Sequence, residues 1–167
     1  MSFKILTLAA VASCSSGPSV DRATIGSLDY SVPSGWNSRD LSTSQRTMVE
    51  WTPTDNEDAK ESVTVIRTEL PAIAKAGAGY VEALLGQAQA SLPDGHFSAP
   101  APFTTTHGFR GVRIEGAFVP PGQAQRYHRI HAVVISGSAL LHVVYTARVA
   151  DRESFEIVVD SFSNRGA

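Results

Sequence analysis

Two stretches near the C-terminus, residues 126–135 and 140–148, are dense in β-branched and aromatic residues and meet at Ser136-Gly137-Ser138. Apolar runs on either side of a short Gly-containing turn predict a β-hairpin. Near the turn both of its faces are apolar, so the sheet must be covered on both sides. Residues 109–118 alternate, with Val112, Ile114, Gly116 and Phe118 on one side and Arg113 and Glu115 on the other. That period of two predicts a half-buried strand. Shorter runs at 28–32, 46–51 and 62–69 predict three more strands, the first stopped by Pro33-Ser34-Gly35. A helix is expected over 73–91, where Ile73, Tyr80, Leu84 and Ala88 fall near one face. After a turn at 92–95 the chain reads as irregular through Pro102, with a short strand at 103–106 entering His107-Gly108. A second helix is expected over 152–163, capped by Asp151, with Phe155, Val158, Val159 and Phe162 on its inner face. Antiparallel strands between two helices predict the α+β class, an α/β/α sandwich around a central, mostly antiparallel sheet.

The N-terminus follows a different pattern. Lys4 is followed by an apolar run from Ile5 to Ala12 and then by small residues, the order of an export signal. That run is far short of the roughly 20 residues of a membrane-spanning helix. The chain's one Cys falls at its end, in Val11-Ala12-Ser13-Cys14, which resembles the lipobox of bacterial lipoproteins. The resemblance implies that residues 1–13 are a signal peptide, that Cys14 is acylated and that the lipid bilayer is one partner. Ser15 in place of Asp implies the outer membrane, facing the periplasm, if the host is Gram-negative. Residues 14–27 are expected to be the lipidated Cys and a flexible tether, since 15–26 are polar and punctuated by Gly and Pro. Residues 28–167 form the expected domain.

With 43% hydrophobic and 18% charged residues the chain has the composition of an ordinary globular domain. The 14 Lys and Arg against 16 Asp and Glu leave no basic excess for a nucleic-acid groove. A lone Cys excludes an internal disulfide, a CxxC redox pair and a zinc cluster built on thiolates.

A strand ending in Pro33-Ser34-Gly35-Trp36, a long helix after the third strand, a strong late hairpin and a final helix ending in Asp160-Ser161-Phe162 resemble the PsbP-like fold. That fold occurs in the extrinsic PsbP protein of photosystem II, in a nuclear Ran-binding protein and in bacterial lipoproteins. The resemblance implies an accessory or binding module with no catalytic residues and no cofactor, working with an envelope protein partner.

The candidate chemistry is sparse. Gly137-Ser138 lacks the second Gly of a G-x-S-x-G elbow and joins two strands. Gly77-Ala78-Gly79 meets Glu82 where a dinucleotide fingerprint needs its third Gly. The acidic run from Asp55 to Glu61 has Lys60 near the place of the turn Gly of a calcium loop. His128 and His131 are three apart, so on a strand they point to opposite faces and cannot share a metal. The hairpin register, in contrast, sets Val133 opposite His142 and makes His131 and His142 diagonal neighbours about 7 Å apart on one face. Tyr127, Arg129 and Thr146 are expected on the same face. His131, His142, Arg129 and Tyr127 are therefore the candidate ligand-binding set, with Trp36 as a stacking residue at the sheet mouth; no metal site is assigned.

Overall fold

The strongest hairpin sets the frame. In the computed structural model, which describes residues 18–54, 61–70, 78–90, 92, 95–149 and 152–165, β9 (Tyr127–Ser136) and β10 (Ala139–Ala147) pair antiparallel about Gly137-Ser138. Gly137 takes a φ of 57°, the left-handed conformation that a two-residue hairpin turn requires. Val133 lies opposite His142 and Ala132 opposite Val143, the register expected from the sequence.

Around this hairpin the main sheet has eight strands. β10 pairs with β5 (Glu61–Glu69), then β4 (Arg46–Pro53), then β3 (Trp36–Asp40) at one edge. On the other side β9 pairs with β8 (Arg110–Phe118), whose outer edge is shared by β6 (His96–Phe97) and β7 (Ala101–Thr104). All neighbouring pairs are antiparallel. Gly116 lets β6 approach β8, because a Cβ there would run into the His96 carbonyl oxygen.

The two faces are covered differently. Helix α1 (Ala78–Ala90) packs Val81 and Leu85 on Ile114, Val133 and Leu140. The opposite face carries α2 (Glu153–Asp160) together with a second, three-stranded sheet of β1 (Val20–Ile25), β2 (Leu28–Pro33) and β11 (Ser163–Asn164). The result is an α+β, mostly antiparallel sandwich of three layers, with one outer layer half helix and half sheet. Phe155, Val158, Val159 and Phe162 are all buried between the layers, as their spacing requires.

Several expectations are corrected. Residues 20–25, read as tether, are strand β1: Ala23 and Ile25 are buried while Arg22 and Thr24 point outward, and Gly26 with a φ of 62° turns the chain into β2. An alternation of only two buried positions inside a polar stretch is a weak signal, and pairing with β2 supplies the rest. Tyr80, expected on the inner face of α1, is 39% exposed, and Val81 and Leu85 are buried instead. Ile73, its expected partner, lies outside the described residues. The last helix stops at Asp160, since Ser163 and Asn164 pair with β2. The expected cap Asp151 lies outside the described residues, and Arg152 at the N-cap makes no side-chain capping bond. The region read as irregular before Pro102 contains β6, and Trp36 opens β3, a strand not expected.

The Ser161-Phe162 motif has a structural role. Ser161 Oγ accepts the Ser31 N–H at 2.7 Å and donates to the Val158 carbonyl at 3.1 Å, tying α2 to β2. Phe162 lies 5.4 Å from the Tyr30 ring, and the Tyr30 hydroxyl accepts the Trp51 indole N–H at 3.0 Å, joining the small sheet to the large one.

Candidate functional site

His131 and His142 meet as the register predicts. Their rings stack with centroids 5.2 Å apart and planes at 30°, and His131 Nδ1 lies 3.0 Å from His142 Nε2. The contact is a hydrogen bond in which one ring donates and the other accepts, so at least one facing nitrogen carries no proton. Both strands place apolar neighbours along this face, Val133 on β9 and Leu140 on β10, and Phe97 stands 6.0 Å from His131 on the outer side. Burial therefore holds both imidazoles neutral. His131 is pushed down to about 3 by desolvation, with His142 and Arg129 adding repulsion, and His142 to about 4 by desolvation, with Arg46 adding repulsion. His131 is 5% exposed, and its Nε2 is buried without a hydrogen-bond partner.

Arg129 and Tyr127 share this face, two and four residues before His131. Arg129 Nε donates to Thr146 Oγ1 at 3.1 Å, and its guanidinium carbon lies 4.3 Å from the Phe118 ring centroid. Arg148 Nε donates to the Tyr127 hydroxyl at 3.1 Å. Trp36 is not brought to this group. It is partly buried against the core on the opposite face of the sheet. Cys14 and the 55–60 segment lie outside the described residues. Among the described residues no group of three metal-ligating side chains converges, and no helix is long and apolar enough to cross a membrane.

Sequence reasoning missed two clefts, one at each end of α2. The first, of about 340 Å³, has Ala117, Ile130 and Tyr145 as its floor and His96, His128, Glu115 and Arg152 around it. Two ion pairs strap α2 across β8 beside it: Arg152 to Glu115 at 2.5 Å, and Arg113 to Glu156 at 3.1 Å. The signal was present in Arg113 and Glu115 on the polar side of β8 and in Arg152 and Glu156, one helical turn apart. His128 reaches this cleft because it faces away from His131, as the strand period requires. The second cleft, also about 340 Å³, brings Asp29, His107 and Ser161 together. These three residue types are those of a nucleophilic triad, but Ser161 Oγ gives its proton to a backbone carbonyl and Asp29 is held by Arg22.

Neither a family model nor a curated protein matches the sequence. Solved structures do match. LpqN, involved in cell envelope biogenesis of Mycobacterium tuberculosis, superimposes with a TM-score of 0.61 at 15% identity, over 91% of this chain and 86% of LpqN. The solution structure of cyanobacterial PsbP, CyanoP from Synechocystis sp. PCC 6803, gives 0.57 at 15% identity, over 92% of this chain and 97% of CyanoP. The fold is PsbP-like. Within it Ser161 ties α2 to β2 inside one outer layer, and Trp36 is partly buried against the core between that layer and the main sheet.

Proposed function

We propose that this protein is a lipid-anchored component of the bacterial cell envelope whose PsbP-like domain is a non-catalytic binding or accessory module. The observation that carries this reading is the spacing between Cys14 and the first strand. β1 begins at Val20, six residues after the candidate acylation site, and six residues reach at most about 20 Å. An acylated Cys14 would therefore hold the β1 end of the domain against the headgroups. The cleft beside Arg152 lies at the far end of α2, away from Val20. Two or three acyl chains give a stable anchor where one would be marginal. In a Gram-negative host Ser15 directs such a protein to the outer membrane, facing the periplasm.

The non-catalytic reading leans on Ser161, whose hydroxyl proton goes to the Val158 carbonyl and is not offered to His107. The likeness in fold to LpqN is compatible with an envelope address. Radiolabelled palmitate should enter the wild-type protein in a bacterial host and not Cys14→Ser, and the label should fractionate with membranes. Equal labelling of the two proteins, or none in either, refutes the anchor.

A second reading uses the His131/His142 face as a small-ligand or metal site. Its support is the unpartnered Nε2 of His131. Zn²⁺ bridging the two rings through the nitrogens that face each other would have to break the His–His hydrogen bond, and Arg129 and Arg46 add repulsion at the two rings. Ring resonances of both imidazoles that are indifferent to added Zn²⁺ would dismiss it.

A further inference from the structure

Beyond His131, toward the end of the sheet, the same face carries groups whose hydrogen-bonding capacity is strongly one-sided. Thr146 Oγ1 accepts from Arg129 Nε, and the Tyr127 hydroxyl accepts from Arg148 Nε. Each hydroxyl has thus met a donor, and its own proton remains available. Each guanidinium keeps its terminal N–H groups. Neither arginine makes an ion pair among the described residues. Glu50, on this face two strands away, is held by Arg39.

The arrangement is fixed rather than loose. Arg129 lies over Phe118, Arg148 over Tyr127 at 5.7 Å, and the two rings are 6.1 Å apart, so the guanidinium groups are seated on a continuous aromatic pair. Burial also pulls the Arg129 guanidinium below its ordinary value, the mark of a cation that has lost water without gaining an anion. A desolvated cation with free donors is costly until an acceptor arrives. A rigid fork of donors fits an oxyanion better than it fits any neutral ligand.

We propose that Arg129, Arg148, Tyr127 and Thr146 form a binding site for a phosphate-type oxyanion, either free or as the phosphate of a lipid headgroup. The site deepens the binding-module reading by naming a ligand class, and it does not depend on acylation of Cys14.

The test uses the full chain carrying Cys14→Ser, so that no acyl group confuses the result. Inorganic phosphate should raise the unfolding temperature of this protein saturably and shift the Arg129 and Arg148 side-chain resonances. In a second arm, vesicles of phosphatidylglycerol in phosphatidylcholine should be bound where phosphatidylcholine alone is not. Arg129→Gln and Arg148→Gln should each weaken binding roughly tenfold, Arg129→Lys less than Arg129→Gln, and the exposed Arg46→Gln not at all. Circular dichroism checks that each variant is folded, and Arg148→Gln, at the strand end outside the core, carries the test if Arg129→Gln fails to fold. Response to phosphate identifies a free anion as ligand, and response to anionic vesicles alone identifies a headgroup. Silence in both arms overturns the proposal, as does a response undiminished in the Arg129→Gln/Arg148→Gln double variant. A failed palmitate experiment would leave these outcomes unaffected, so the anchor and the anion site stand or fall separately.

Discussion

The two faces of the main sheet are built from alternate residues of the same strands, yet they do different work. On the face toward α2 and the small sheet, β5, β9 and β10 contribute Val63, Val65, Ala132, Val134, Leu141 and Val143, all fully buried. Its prominent polar link, the Trp51 indole to the Tyr30 hydroxyl, is a complete donor–acceptor pair. On the α1 face the same β9 and β10 supply Val133 and Leu140 but also His131, His142, Arg129 and Thr146. Among the described residues a buried imidazole nitrogen here has no partner and a half-buried guanidinium has no anion. The first face also buries Arg67 Nε without a hydrogen bond, but Arg67 is ion-paired with Glu69; the half-buried guanidinium without an anion among the described residues lies on the α1 face, which is where binding is to be sought.

The largest effects should come from the apolar face. Phe155 and Phe162 are fully buried, and truncating either to Ala should cost about 3–5 kcal/mol in urea unfolding. Leu85→Ala, which opens the smaller α1 cluster, should cost about 2–3 kcal/mol. A Leu85→Ala loss equal to that of Phe155→Ala would show that both faces hold the fold equally and would end the contrast.

The α1 face should dominate the pH dependence. In the unfolded chain each imidazole takes up a proton as pH falls below about 6.5, whereas the folded pair resists until about 4 for His142 and about 3 for His131. The unfolded state then binds more protons, so stability is full above pH 6.5 and drains away as the pH falls from there toward 3. Each ring contributes a slope of up to about 1.4 kcal/mol per pH unit inside that window. Urea titrations at pH 7, 6 and 5 should show this loss in wild type and much less of it in His131→Phe/His142→Phe. Parallel curves for the two proteins would mean that the pair is not buried neutral.

What could be read from the sequence follows the length of each signal. The β9–β10 hairpin offers nine to ten strand residues on each side of a short Gly turn, and the turn length specifies the register and, with it, the His131–His142 contact. β6 and β11 are two residues each and exist because β8 and β2 offer them an edge, a tertiary cause with no local trace. β1 was hidden for the same reason, its two inward residues lying in a stretch whose composition is that of a linker. The candidate polar face was legible because strand alternation alone assembles it. The cleft beside Arg152 was not, because it depends on where α2 crosses β8. Gly116 illustrates the limit. Read from alternation it is a small residue on an apolar face, whereas in the fold Gly116→Ala should detach β6 at a cost of about 1–3 kcal/mol, measurable as lost amide protection at Phe97.

The smallest effects test the contrast most directly. Tyr30→Phe deletes the acceptor of the Trp51 indole N–H between the two sheets, and a bond of this kind contributes about 1 kcal/mol. Thr146→Val deletes the acceptor of Arg129 Nε with a side chain of the same shape that suits a strand. Arg129 is half-buried, so its freed N–H can turn toward water, and the expected loss of stability is below that of Tyr30→Phe. If the α1 face exists to bind rather than to hold, the same Thr146→Val change should instead appear as weaker phosphate affinity, through a less rigidly placed guanidinium. Measuring both variants for unfolding free energy and for phosphate binding separates the two roles. A Thr146→Val protein that loses more stability than Tyr30→Phe and none of its phosphate affinity would make Arg129 a structural residue and return the α1 face to the core.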